Sequence, residues 1–222
     1  MTAIAIVGAG AGLGAAVARR FGAEGFAVAL ISRSQERVDE LARTLADEGI
    51  TARGYVANVR DHVALAAALD RAAQELGPVE VLQYSPLPQK EFLRPVLETT
   101  PGDLVGAVEF SIQAPVAAVH QVLQGMRVLG RGTVLFINGG TAVQPLPKYA
   151  GTSIAFAGES AYGQMIHDAL AGDGIHVGQL IIPGAITPGH PTKDPQALAD
   201  TLWSMHEERG DFRRFAADMD DE

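Results

Sequence analysis

The sequence predicts a doubly wound, parallel α/β sheet of six to seven strands with helices on both faces. Three observations predict it. Short apolar runs alternate with longer segments of helical periodicity along the chain. The runs are apolar at consecutive rather than alternate residues, the pattern of strands covered on both faces. A glycine string, Gly8-Ala9-Gly10-Ala11-Gly12-Leu13-Gly14, separates the first run from the first helical segment. Of the 222 residues, 47% are hydrophobic and 19% charged, which supports a packed core and argues against a disordered chain. No linker or short-period repeat interrupts the alternation, so residues 1–222 read as one domain, with an acidic tail over residues 217–222.

The elements follow in order. Ala3 to Val7 reads as a buried strand, Leu13 to Glu24 as a helix stopped by Gly25, and Phe26 to Ile31 as a second strand. Ser34 is placed as N-cap of a helix over Gln35 to Glu48, with Arg37 where a capping-box acid would stand. Thr51 to Ala57 is the third strand, Asp61 to Leu76 the third helix, and Val79 to Tyr84 the fourth strand. A connection rich in proline (Pro86, Pro88, Pro95, Pro101) leads to a long fourth helix, Asp103 to Val128, which Pro115 should kink. Thr133 to Ile137, a fifth helix over Thr152 to Ala171, and Ile175 to Ile182 continue the series. A last helix, Pro195 to Glu208, has Asp194 as N-cap and proline at its first position. Phe212 to Ala216 reads as a short seventh strand.

Composition excludes several function classes. Cysteine is absent, so disulfides, cysteine–zinc sites and thiol nucleophiles are excluded. The net charge is −9, and four of the 26 acids stand in the last five positions, Asp218, Asp220, Asp221 and Glu222. No basic stripe is present to neutralise a run of phosphates, which argues against nucleic-acid binding. The apolar N-terminus turns to glycine too soon for a signal peptide or a membrane span, so no membrane role and a cytoplasmic location are expected.

The glycine string carries the clearest chemistry. A tight turn needs positive φ, and a phosphate can approach only where no Cβ stands in the way. The helix that follows offers free amides and the positive end of its dipole to a diphosphate. Placed between strand and helix, Gly8, Gly10, Gly12, Leu13 and Gly14 therefore read as the phosphate turn of a Rossmann-type dinucleotide site. An NAD site usually carries an acid at the end of the second strand to hold the ribose 2′-hydroxyl. Here Ser32 and Arg33 stand in its place, a hydroxyl and a guanidinium suited to a 2′-phosphate. NADP is the expected cofactor and NAD the less favoured one.

With these residues in hand, the chain resembles the short-chain dehydrogenase/reductase family over nearly its whole length. The Gly8–Gly14 string resembles the family's TGxxxGxG loop, with Val7 at the threonine. Asn58-Val59 resembles the Asp-Val pair that holds the adenine. Pro183-Gly184-Ala185-Ile186-Thr187 resembles the PG motif that holds the nicotinamide carboxamide. The resemblance implies a small-molecule substrate and a homodimer or homotetramer joined through the fourth and fifth helices.

The resemblance breaks at the chemistry. The family uses serine, tyrosine and lysine, the last two as YxxxK. Counting back from Gly174-Ile175-His176-Val177, which resembles the family's GIRV, sets Thr152 at the tyrosine, Phe156 at the lysine and Gly139 at the serine. Ser111 stands at the asparagine of the family's proton relay, and Tyr84-Ser85-Pro86-Leu87 at its NNAG stretch. Tyr149 lacks a lysine four residues on; it either brings its phenol into the pocket by local rearrangement or packs at the rim. A phenol without a neighbouring cation titrates near pH 10 and is a poor acid–base catalyst at neutral pH. The catalytic group is thus unknown, with Thr141, Tyr149 and Thr152 as candidates. Substrates needing little proton assistance, such as a preformed iminium or a conjugated acceptor, remain reducible. The alternative is a non-redox dinucleotide-binding protein of the same fold: a sensor, a scaffold or a cyclase-like enzyme.

Other features are weaker. Gly158-Glu159-Ser160-Ala161-Tyr162-Gly163 resembles a hydrolase nucleophile elbow, but it falls mid-helix, whereas that elbow needs a strand-to-helix turn. Asn138, Gly139, Gly140 and Thr141 follow the fifth strand at the edge where such sheets bind ligands, and read either as amides and polar groups facing substrate or as a plain turn. His120, His167 and Asp168 read as solvated or interface residues without metal spacing, so no metal site is expected. His176 and His190 are placed nearer the cofactor end. Trp203 and Met205 are expected over the substrate side, and Arg209, Arg213 and Arg214 as a solvated charge cluster beside the tail. The short Thr187–Asp194 lid suggests a pocket that is open or closed by a neighbouring subunit.

Overall fold

A computed structural model of the chain describes residues 1–220. The elements are β1 (Ala3–Val7), α1 (Leu13–Ala23), β2 (Ala27–Ser32), α2 (Gln35–Asp47), β3 (Ala52–Val56), α3 (His62–Leu76), β4 (Val79–Tyr84), α4 (Pro101–Val108), α5 (Ala114–Leu129), β5 (Gly132–Gly139), α6 (Ala150–Leu170), β6 (Ile175–Ile182), α7 (Pro195–Glu208) and β7 (Arg213–Phe215). The strands form one seven-stranded sheet in the order β3-β2-β1-β4-β5-β6-β7. Every pairing is parallel.

Burial explains the sequence pattern. β1, β4 and β6 are buried at every residue, as consecutive apolar runs require. The edge strand β3 buries only Tyr55 fully, and its sequence is correspondingly mixed. On one face, α3, α5 and α6 pack a core that includes Leu65, Leu69, Val119, Phe136 and Ala155. On the other, α1, α2 and α7 pack Val17, Phe21, Leu45 and Leu202 against Ile4, Ile6 and Leu30. Trp203 and Met205 belong to this second layer rather than to the substrate side. Trp203 meets Phe21 edge-on, under the Arg20 guanidinium, because α7 turns its apolar face to α1.

The expected long fourth helix is continuous but irregular. A π turn at Glu109–Gln113 separates α4 from α5, and the Ala114 amide reaches back to the Glu109 carbonyl. Pro115 has no amide to give to the preceding turn, and the extra residue of the π turn accommodates it. Thr100 and Asp103 close a capping box at the start of α4. Ser34 and Asp194 cap α2 and α7 as expected. α6 begins two residues earlier than expected, at Ala150, with Tyr149 as its N-cap.

The sheet order reverses between β1 and β4, which splits the loops at their carboxyl ends and opens a crevice there. Gly8 to Gly12, Ser85 to Leu87, Gly139 to Ala142 and Pro183 to Thr187 all leave the sheet at this edge.

Candidate active site

The glycines after β1 divide the work. Gly8 has φ +94°, and a Cβ there would fall 2.5 Å from the Pro86 Cα. It lets the turn cross the start of the β4 loop, where the Gly8 and Ala9 amides both donate to the Ile31 carbonyl. A Cβ at Gly14 would fall 3.0 Å from the Ala9 Cα, so this glycine brings α1 against the turn. At Gly10 and Gly12 a Cβ would meet nothing within 4 Å. Gly10 faces an open cleft of about 1010 Å³, and Gly12, the N-cap of α1, has no side chain to cap the helix amides. No side chain plugs the cradle, although the Ala15 amide donates to the Gly10 carbonyl at 2.9 Å and the Ala16 amide to the Gly12 carbonyl at 3.2 Å.

The far wall of the cleft holds Ser32, Arg33, Asn58 and Val59. Arg33 and Arg37 line it with exposed side chains. Arg19 also lines it but is committed to Glu48 through two bonds of 2.7 and 2.8 Å. Glu40 stands on the same wall. Asn58 fixes the turn after β3 by accepting from the Arg60 amide at 3.2 Å. Leu13 is half-buried at the start of α1.

A second cavity, of about 420 Å³, lies where β5 and β6 end. Gly139, Gly140, Thr141, Tyr149, Pro183 and Gly184 line it, together with Met219 and Asp220. Tyr149 is half-buried at this cavity, and the Lys148 Nζ lies over its ring 4.9 Å from the centre. Thr152 is buried and turned away, its hydroxyl donating to the Tyr149 carbonyl at 3.2 Å. Phe156 is buried in an apolar group with Ala142 and Ile181, against which Val143 and Met219 pack. Ile186 and Thr187 are exposed beyond Gly184, and Thr187 donates to the Ala185 carbonyl at 3.2 Å.

A polar chain links α6 to β5, β6 and β7, buried from Ser160 to Glu159 and reaching the exposed Arg213 at one end. Arg213 donates to Ser160 and Gln179 at 2.6 and 2.9 Å. Ser160 also donates to Gln179, at 2.9 Å. Gln179 donates to Asn138 at 2.8 Å, and Asn138 to Glu159 at 3.1 Å. Ser111, from the π turn, hydrogen-bonds the same carboxyl. Burial pushes Glu159 up to about 8, against the lowering effect of its two partners, so it is protonated at neutral pH. Tyr84 donates to the Phe110 carbonyl, and burial, with the nearby Glu159, raises its phenol well above the ordinary range.

A turn of bare amides, the crossover beside it and the loops after β5 and β6 thus gather at one sheet edge. The chain belongs to the short-chain dehydrogenase family. The family's model, described as short chain dehydrogenase, matches residues 2–198. A 3-dehydrosphinganine reductase of Arabidopsis thaliana is 28% identical over 83% of this chain and 55% of the relative. The meso-2,3-butanediol dehydrogenase of Serratia marcescens is 40% identical over 36% of this chain and 31% of its own length. The match spans about a third to just over half the length of these curated relatives. Among solved structures, a short-chain dehydrogenase from Rhodopseudomonas palustris superposes with a TM-score of 0.85 at 24% identity, covering 96% of this chain and 97% of that one. The L-sorbose reductase of Gluconobacter frateurii, solved with NADPH and L-sorbose, gives 0.85 at 20% identity over 96% and 94%. These likenesses establish the Rossmann-type fold.

Several sequence expectations change in this short-chain dehydrogenase. Arg213 is exposed, but its guanidinium is tied to Ser160 and Gln179 rather than left solvated, while Arg214 pairs with Glu208 and Arg209 with the Gly174 carbonyl. His176 sits near the start of β6, at the edge opposite the glycine-turn cleft, and burial lowers it to about 4. His167 is half-buried and bonds the Val177 carbonyl at 2.7 Å, so it is not a solvated residue; His120 is exposed. The acidic tail is described through Asp220, while Asp221 and Glu222 lie outside the described residues. The segment does not trail into solvent, since the Ala216 amide bonds the Ile181 carbonyl at 2.9 Å and Met219 packs on Gly140. Among the described residues no cluster of three or more metal-ligating side chains occurs, and no helix is long and apolar enough to cross a membrane.

Proposed function

We propose that this short-chain dehydrogenase is an NADP-dependent oxidoreductase whose active site is atypical and which acts on a small molecule without the family's usual proton donor. The observation that carries the reading is the unplugged glycine turn, open where a Cβ at Gly10 or Gly12 would stand and facing Ser32 and Arg33. The α1 amides hold the diphosphate. Arg33, with Arg37 beside it, takes the 2′-phosphate that an acidic residue would repel. Asn58 and Val59 flank the adenine, and Pro183, Gly184, Ile186 and Thr187 hold the nicotinamide end, as the family resemblance implies.

A bound nicotinamide dinucleotide supplies the hydride; the chain's own contribution is position. Its proton chemistry is what departs from the family. Phe156 fills the lysine position with an apolar ring packed on Ala142 and Ile181, and Gly139 has no hydroxyl to offer. Thr152 has given its hydroxyl to the backbone. Tyr149 is the one phenol on the cavity wall, with Thr141 beside it.

That replacement equally favours a second reading, a dinucleotide-binding protein of the same fold that performs no redox step. Titration of NADPH and NADH, followed by a screen of carbonyl, imine and enone substrates for NADPH oxidation, separates the two. Oxidation of NADPH with any class supports the first; tight NADPH binding with no turnover on any class supports the second.

A further inference from the structure

We propose that the cavity beside Tyr149 takes a cationic substrate, an iminium or a protonated imine, and that Asp220 selects it. The proposal rests on the oxidoreductase reading and names the substrate class of that same site.

Among the described residues, Asp220 is the one charged side chain lining this cavity; the rest of the wall is glycine, proline, apolar or neutral polar. Its place there is fixed by its neighbours. The Ala216 amide is tied to the end of β6. Met219 packs with Phe156 and Ile181, and lies so close to Gly140 that a Cβ there would come 3.0 Å from its Cε. The carboxylate is exposed and stands at the wall beside the partly buried Met219, which packs on the apolar cluster. Lys148, the nearby ammonium, lies over the Tyr149 ring face and does not line the cavity.

Charge then decides which substrate the site suits. A neutral ketone that accepts hydride becomes an alkoxide. It would form beside the Asp220 carboxylate, which opposes it. An iminium begins positive. Its carbon takes a hydride with the bonding pair from the reduced nicotinamide dinucleotide, and the C=N π pair withdraws onto nitrogen. The substrate leaves neutral, with the positive charge now on the oxidised nicotinamide. The amine takes a proton from solvent afterwards, so no side chain need donate one. Asp220 favours the entering cation, and this reaction needs no proton from the cavity wall.

The test pairs cyclic iminium salts of graded size, beginning with N-methyl-1-pyrrolinium, with ketones of the same shape, beginning with cyclopentanone. NADPH oxidation is measured with the full chain and with Asp220→Asn and Asp220→Lys. Binding of the corresponding protonated amines, such as N-methylpyrrolidine, is measured by calorimetry in the presence of NADP. The expected result is oxidation with iminium salts in preference to ketones. Asp220→Asn should weaken both iminium use and amine binding by about threefold to fivefold, as for a partly exposed ion pair, and Asp220→Lys should weaken them further. NADPH affinity should not change in either variant. Ketones used as well as iminium salts, a panel neither reduced nor bound, or an Asp220→Asn variant that gains activity on both classes because the segment was only a plug, would each overturn the proposal. Failure of NADPH itself to bind would remove the oxidoreductase reading and this proposal with it; NADPH binding without amine binding would remove this proposal alone.

Discussion

The two halves of the sheet's carboxyl edge treat their chemistry differently. Around β1 and β2 the site is made of backbone. Gly8 turns the chain at a φ closed to most side chains, Gly14 brings the helix in, and Gly10 and Gly12 stay bare. Around β5 and β6 the site is made of side chains, and there the polar groups have moved inward. Phe156 and Met219 form an apolar patch under the cavity, while the buried Asn138, Glu159 and Gln179 bond one another. A backbone site tolerates few substitutions because any Cβ blocks it. A side-chain site is freer to change while the fold persists, and Phe156 packs there in an apolar cluster that would not solvate a charge.

Substitutions can break or sharpen this contrast. The largest effect is expected for Gly8→Ala. It sets a Cβ 2.5 Å from backbone at φ +94°, so the variant should lose several kcal/mol of stability, read as a collapse of the thermal midpoint.

Glu159→Gln comes next. The carboxyl is raised to about 8 in the folded chain, above its unfolded value, so the folded state holds the extra proton. Its contribution is full at pH values below the unfolded pKa and is lost as pH rises through about 8. Denaturant titrations from pH 5 to pH 9 should show stability falling by on the order of a few kcal/mol in the native chain. Glutamine can keep the bond from Asn138 and cannot ionise, so the variant should lose that slope. An unchanged slope would place the titrating group elsewhere.

Arg33→Ala should weaken NADPH by about tenfold to a hundredfold, the range of a lost charge-assisted bond, and leave NADH nearly unchanged. A fluorescence titration with both nucleotides measures the split. The smallest structural effect is expected for Gly10→Ala, whose Cβ enters open space. Stability should stay within about 1 kcal/mol while NADPH affinity falls by about tenfold, because the methyl occupies ground the diphosphate needs. The pair Gly8→Ala and Gly10→Ala thus separates glycines that serve the fold from those that serve the ligand.

The same contrast explains what could be read in the sequence. The strand–helix alternation follows from local patterns: consecutive apolar runs, caps at Ser34 and Asp194, and glycine stops; the order of the seven strands is set by tertiary pairing. The glycine turn was legible because its chemistry lies in one contiguous stretch. The π turn before Pro115 was legible only as a disturbance, since sequence gives the missing amide and not the form of the repair. The Arg213–Ser160–Gln179–Asn138–Glu159 chain was missed because its members come from three strands and a helix, and none is unusual among its neighbours in sequence except for one trait. Gln179 and Asn138 are polar residues inside runs otherwise apolar enough to be buried on both faces, which is a signal for a buried partner. Asp220 was read only as part of a charged tail, because what sets it at the cavity is the packing of Met219 against Gly140, a contact distant in sequence.

The central claim is that this chain grips a nicotinamide dinucleotide phosphorylated on its ribose. Nicotinamide fluorescence followed during titration of the native protein with NADPH, and separately with NADH, tests it most directly. The expected result is saturable NADPH binding at least about tenfold tighter than NADH, the difference an arginine-held phosphate supplies. Equal affinity for the two, or binding of neither, would contradict it.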